Sequence, residues 1–185
     1  MIALIYAHPY PDRSRANRAL LSAVAGLPDL EVRSLYDLYP DFAIDVESEQ
    51  ELLLRAELIV WQHPFYWYSV PALMKHWFDK VLARGWAYGE DGNALKGKTC
   101  LWVTTTGGDE DAFSPAGMHA FPFGAFVPPV EQTARFCQMH WAPPLVLHGA
   151  HRVSNVELTA AAERYREMVS MLSARVMERS GVAHG

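Results

Sequence analysis

Seven residues in succession, 1–7 (MIALIYA), are almost wholly apolar, and from there the hydrophobic positions keep two rhythms. Short continuous or alternating apolar runs read as strands, and apolar positions three and four apart read as helices. Residues 1–7 predict a strand buried on both faces, because the run includes β-branched and aromatic residues. His8-Pro9-Tyr10-Pro11-Asp12 ends it, since two prolines so spaced fit neither a helix interior nor a sheet ladder. Ser14 then caps a helix with Ala16, Leu20, Leu21 and Val24 on one face. Residues 30–35 alternate and predict a second strand. Residues 47–56 predict a helix with acidic residues in its first turn.

Residues 58–61 predict a third strand and 63–70 a loop. An amphipathic helix over 71–84 follows, opened by Pro71 and striped by Leu73, Trp77 and Val81, with Met74 and Phe78 beside them. Residues 98–105 predict a fourth strand running into Thr106-Gly107-Gly108. Beyond a connection rich in Pro and Phe, 131–140 predicts a helix and 145–147 a short fifth strand. Ser154-Asn155-Val156-Glu157 has the capping-box pattern. Leu158, Ala162, Tyr165, Val169, Leu172 and Val176 stripe a long last helix.

Strands alternating with helices imply βαβ units and a parallel sheet with helices on both faces. Five strands suggest an α/β, flavodoxin-like fold in the order 2-1-3-4-5, with a ligand beyond the carboxyl ends of strands 1 and 3. The absence of repeats and linkers makes residues 1–185 a single domain.

Composition narrows the class without changing this picture. At 185 residues, half of them apolar and a fifth charged, the chain has enough material for one substantial core. A net charge of -5 gives no reason to expect nucleic-acid binding, and argues against attraction to an anionic membrane by charge alone. Residues 1–7 lack the basic start and small-residue cleavage site of a signal peptide. No apolar run approaches the roughly 18 residues that span a bilayer. Cys100 and Cys137, without CxxC spacing, read as free buried thiols in a reducing cytoplasm.

In the expected topology three loops, 8–17, 63–70 and 105–120, meet at one cleft. The first holds His8 and then Ser14, Arg15, Ala16 and Asn17 at a helix start. Unsatisfied N–H groups, the helix dipole, a hydroxyl and an amide there suit a single phosphate. An ordinary N-cap beside a solvated arginine explains the same residues. No Gly-rich run or GxxxxGK[ST] points to a di- or triphosphate. The second loop offers Phe65, Tyr66, Trp67 and Tyr68, a set that fills a core or meets a flat ring. The third offers Thr105, Thr106, Gly107 and Gly108, where backbone can approach a ligand closely, or where a plain turn sits. Together they describe a ligand with one phosphate, a polyol tail and a flat ring with polar edges, which is FMN. N–H donors aimed at the N1 and O2 edge of that ring favour its reduced state.

The histidines divide. His8, His63 and His119 lack the spacing and carboxylate company of a metal site, so metal ligation is not expected. His76 lies on the 71–84 helix and is expected to face solvent or a partner. His119, in the third loop, can overhang the ring face and steady a substrate oxygen or give up a proton. Trp86 and Tyr88, in Gly85-Trp86-Ala87-Tyr88-Gly89, are expected at the rim of the same cleft.

These residues resemble the flavodoxin-like NAD(P)H:quinone oxidoreductases over most of the chain. The carriers are Ile5-Tyr6-Ala7-His8-Pro9, Gln62-His63-Pro64, Trp77-Phe78-Asp79-Lys80-Val81, Gly85-Trp86-Ala87-Tyr88-Gly89 and Thr105-Thr106-Gly107-Gly108. Arg33-Ser34-Leu35-Tyr36, Leu38-Tyr39-Pro40-Asp41-Phe42, Trp61-Gln62-His63-Pro64 and Trp67-Tyr68-Ser69 resemble a narrower subgroup, the ancillary subunits of glutathione-gated potassium efflux systems. The resemblance implies FMN rather than FAD, held by His8, residues 14–17, 65–68 and 105–108. It further implies NAD(P)H as hydride donor, ping-pong two-electron reduction of a quinone or similar electrophile, and a homodimer with the active site at the subunit interface. In the larger relatives a Tyr and a His after TTGG assist hydride transfer. His119 matches the histidine, whereas Phe113 stands at the tyrosine position, which removes a phenol from that place. The subgroup implies a membrane potassium/proton antiporter as partner and a cytoplasmic protein peripheral to the membrane. A flavin-binding regulatory module without catalysis and a one-electron carrier are the competing classes.

Overall fold

The computed structural model describes residues 1–182. Six strands, β1 (Ile2–Tyr6), β2 (Leu30–Ser34), β3 (Leu58–Pro64), β4 (Thr99–Thr105), β5 (His140–Trp141) and β6 (Leu145–Leu147), form one parallel sheet. Its order is β2-β1-β3-β4-β5, with β6 also on β4, so the expected 2-1-3-4-5 arrangement holds. The last position is filled in two pieces because Pro143 and Pro144 carry no N–H and cannot continue a ladder.

Around the sheet lie α1 (Arg15–Val24), α2 (Leu35–Leu38), α3 (Val46–Arg55), α4 (Ala72–Val81), α5 (Pro128–Phe136) and α6 (Asn155–Val182). Side chains alternate across the pleat. Ala3, Ile5 and Ala7 join Trp61 and Trp102 in a core with Leu53, Trp77 and Ala134 from α3, α4 and α5. Ile2, Leu4 and Tyr6 join Val60 and Leu101 in a second core with Leu20, Leu158 and Tyr165 from α1 and α6. Two expected caps are present. Ser14 Oγ accepts from the Asn17 N–H at 3.2 Å. Ser154 and Glu157 form a reciprocal box, with Ser154 N–H donating to Glu157 Oε2 and Glu157 N–H to Ser154 Oγ.

Several boundaries move. The helix expected at 131–140 is α5, where Pro128 and Pro129 occupy the first turn, where their missing N–H costs nothing, and His140 already belongs to β5. β3 runs on to Pro64, so His63 leaves the expected loop for the sheet. There it is fully buried and Trp102 Nε1–H donates to its Nε2 at 2.8 Å. Leu35 opens the one-turn α2 instead of ending β2. His76, half-buried, has its Nε2 3.1 Å from the Phe42 carbonyl. Both thiols are buried and free, and burial pushes Cys137 up to about 11.

A buried ion pair ties β2 to the α3–α4 layer. The Glu49 carboxylate, with no solvent exposure, accepts from Arg33 Nε at 2.9 Å and Tyr39 Oη at 2.7 Å on one oxygen. Trp77 Nε1 donates to the other at 2.9 Å. Both carboxylate oxygens are satisfied, which is what makes a buried charge tolerable.

Candidate functional site

Loops leaving β1, β3, β4 and β6 converge at the carboxyl edge of the sheet and line one cleft. One half, about 360 Å³, is bounded by His8, Ser14, Asn17, Phe65, Thr106 and Gly107. The other, about 330 Å³, adds Tyr68, Gly108, Phe113 and His119 and shares Phe65, Thr106 and Gly107 with the first.

At the first half, α1 begins after Ser14, and the N–H groups of Arg15 and Ala16 have no acceptor in the helix. Ser14 Oγ takes a bond from Asn17 N–H and keeps its own proton to give. His8 is buried, and burial lowers its pKa, so the ring is neutral. Its Nδ1 accepts from the Tyr10 N–H at 3.0 Å, which puts the proton on Nε2. Asn17 Nδ2 donates to Thr105 Oγ1 at 2.8 Å, while Asn17 Oδ1 is buried without a partner. Arg15 behaves differently from the expected phosphate ligand. Its guanidinium donates to Asn155 Oδ1 at 2.6 Å and to the Val153 carbonyl, which engages two of its five N–H donors, and the residue still lines the cleft. Arg13, which lies 5.7 Å over the Tyr10 ring, is a second cation lining the cleft.

The second loop is a two-residue turn. Tyr66 and Ser69 exchange N–H to C=O bonds of 3.2 and 2.9 Å, and between them Trp67 (φ 49°) and Tyr68 (φ 61°) are both left-handed. Two bulky residues in this region cost roughly 1–2 kcal/mol each, a strain that clusters at functional sites. The turn leaves the N–H groups of Trp67 and Tyr68 unbonded and throws the Trp67 ring outward, 92% exposed. Phe65 turns inward against Phe123, ring centroids 5.0 Å apart.

The third loop supplies two further unbonded donors, the N–H groups of Gly107 and Gly108. A Cβ on Gly108 would lie 2.8 Å from His119 Nε2, so the missing side chain is what lets the imidazole sit there. His119 stacks on the buried Phe113 at 4.3 Å and approaches Tyr68 Oη through Nδ1 at 3.4 Å.

Trp86 and Tyr88 depart from expectation. Within the chain Tyr88 lines a separate groove with Phe78 and Phe136, packing on Phe136 at 4.9 Å, and Trp86 leans on the core beneath. Gly85, at φ 81°, opens the segment in the left-handed region. The fourth loop went unread from sequence. His148, Ala150 and His151 follow β6 at the same edge, and Ala150 and His151 line the cleft. The signal was present, since a fifth parallel strand must also end there.

Several of these features fit FMN on chemical grounds. Unbonded N–H groups at a helix start suit a phosphate, the unpartnered Asn17 Oδ1 suits a hydroxyl donor, and four more N–H groups suit ring edges.

The chain matches the flavodoxin-like fold family over residues 1–169. It is 50% identical over 167 residues to the glutathione-regulated potassium-efflux system ancillary protein KefF of Klebsiella aerogenes, covering 90% of this chain and 93% of that one. General stress protein 14 of Treponema denticola, solved in complex with FMN, superposes with a TM-score of 0.85 at 33% identity, over 92% of this chain and 98% of that one. An NADPH-quinone reductase of P. pentosaceus superposes with a TM-score of 0.82 at 28% identity, over 91% and 96%. With a family match over residues 1–169 and half of its residues shared over most of its length, the chain belongs to the flavodoxin-like fold family and, within it, to the family of the KefF ancillary proteins.

Proposed function

We propose that the chain is an FMN-dependent NAD(P)H:quinone oxidoreductase that also serves as an ancillary subunit of a potassium/proton antiporter. The observation that carries this reading is the ring of unbonded N–H groups from Arg15, Ala16, Trp67, Tyr68, Gly107 and Gly108 around one cleft. Bound FMN supplies two-electron chemistry, taking reducing equivalents from a nicotinamide and passing them to a quinone or similar electrophile.

The chain's own groups have separable tasks. Arg13, Ser14 and the start of α1 hold the phosphate; His8 adds a neutral donor at Nε2. The Trp67–Tyr68 turn and the Gly pair hold the ring edges and favour extra negative charge there. Phe65 and Phe113 exclude water from the ring side of the cleft. His119 holds a proton within reach of a substrate oxygen on the open side. Trp67, Met118 and Phe121 stand exposed at or beside this rim, which supports a homodimer in which a second copy covers them.

The test is steady-state reduction of a soluble quinone by the purified, FMN-loaded protein with NADH or NADPH. Turnover at enzymatic rates is expected, and flavin bound without turnover would favour the non-catalytic regulatory reading. Co-purification with a potassium antiporter from solubilised membranes tests the second half of the proposal.

A further inference from the structure

We propose that His148 is the positioning residue that sets both the Thr106–Gly108 turn and the His119 ring. The inference rests on the flavin-enzyme reading only for what the turn and the ring do, not for the geometry.

His148 is half-buried just beyond β6 and does not itself line the cleft. Thr106 Oγ1 donates to the Gly108 carbonyl at 2.7 Å and lies 2.9 Å from His148 Nδ1. With the hydroxyl proton committed to Gly108, the bond from His148 runs the other way, Nδ1–H donating to Thr106 Oγ1. Burial disfavours the imidazolium, although Glu110 and Asp109 pull in the opposite direction. The ring is therefore a neutral donor to a hydroxyl that in turn fixes a carbonyl.

The backbone shows why one carbonyl matters. The Gly108 carbonyl also accepts from the Gly149 N–H at 2.8 Å, Thr106 N–H donates to the Leu147 carbonyl at 3.0 Å, and Ala150 N–H to the Thr106 carbonyl at 2.8 Å. The β6 loop is thus stitched to the cofactor turn, and His148 supplies a side-chain stitch among backbone ones. On its other side the imidazole packs against Phe113 at 5.3 Å, and Phe113 stacks on His119 at 4.3 Å. One residue outside the cleft therefore reaches both the flavin-facing N–H groups and the proton-holding ring. Two glycines in a row have little conformational preference of their own, so their placement must be imposed from outside.

The experiment compares His148→Leu, His148→Gln and Thr106→Val, each alone, and the His148→Leu/Thr106→Val double variant. In the ligand-free protein, amide hydrogen exchange at Gly149 and Ala150 is expected to speed about tenfold in His148→Leu and to recover in His148→Gln, which keeps a donor. FMN affinity by fluorescence titration is expected to fall about tenfold in His148→Leu and no further in the double variant, because the two residues act through one chain of bonds. At saturating FMN, kcat is expected to fall several-fold with KM for the quinone little changed. Unaltered exchange at Gly149 and Ala150 in His148→Leu would overturn the proposal whether or not the protein binds flavin. Additive losses in the double variant would also overturn it. A wild-type protein that binds no FMN sinks the functional reading instead, and the exchange arm still decides the role of His148.

Discussion

Gly108 shows how a single missing carbon shapes the site. A Cβ there would meet His119 Nε2 at 2.8 Å and Ala112 Cβ at 3.2 Å, so Gly108→Ala must push the imidazole off its stacking place on Phe113. Because the clash is with the end of a side chain and not with backbone, the fold should survive it. Turnover is expected to drop by an order of magnitude while FMN still binds, a split that kcat and flavin titration resolve separately. The Ser14 cap, His8, and the pairing of Thr105 to Gly108 with Phe65 to Tyr68 were legible in the sequence, because loop composition and switch-point topology point the same way. The fate of Arg15 was not. Where its guanidinium goes depends on the Val153 carbonyl just before α6 and the Asn155 amide at its start, and those lie some 140 residues away.

Elements were read well where periodicity is long and poorly where a few residues decide. α1, α4 and α6 follow their stripes. α2 has four residues, too few to show a period, and α5 was displaced because Pro-Pro reads as loop unless its place in a first turn is known. His63 looked like a loop residue because it precedes a proline, yet β3 carries it into the core. That burial has a consequence in acid. His63 is held down to about 4 because burial penalises the imidazolium, against an ordinary value of 6.5 in the unfolded chain. Between those values the unfolded chain binds the extra proton, so stability rises with pH there. The contribution is full above about pH 6.5 and is lost, to roughly 3 kcal/mol, as pH falls toward 4. Urea denaturation of the wild type at pH 7 and pH 5 should show a clear drop. His63→Leu should show a smaller one, together with a loss of about 1–3 kcal/mol at pH 7 from the stranded Trp102 N–H. At the same scale, Glu49→Ala leaves the Arg33 guanidinium and the donors of Tyr39 and Trp77 without their acceptor. A loss of roughly 3–5 kcal/mol is expected, read as a lowered urea midpoint.

For the whole molecule, a parallel sheet with a core on each face leaves its carboxyl edge as the place where four loops meet, and the chain puts its unbonded donors there. The parallel sheet followed from strand and helix alternation, and its order from reading five such strands as flavodoxin-like. The position of Trp86 and Tyr88 did not, because Tyr88 packs on Phe136, a residue of α5 that is distant in sequence. Among the described residues no helix is long and apolar enough to cross a membrane, and Trp67, Met118 and Phe121 stand exposed at the protein surface. The three donor loops are proposed to hold FMN, and the flavin stoichiometry of the protein after reconstitution and gel filtration measures this, for the wild type and for a variant with residues 65–68 replaced by Gly-Ser-Gly-Ser. One FMN per chain in the wild type and a severe loss in the variant is the expected result. A wild type without flavin, or a variant that retains it fully, would mean that these loops do not hold FMN.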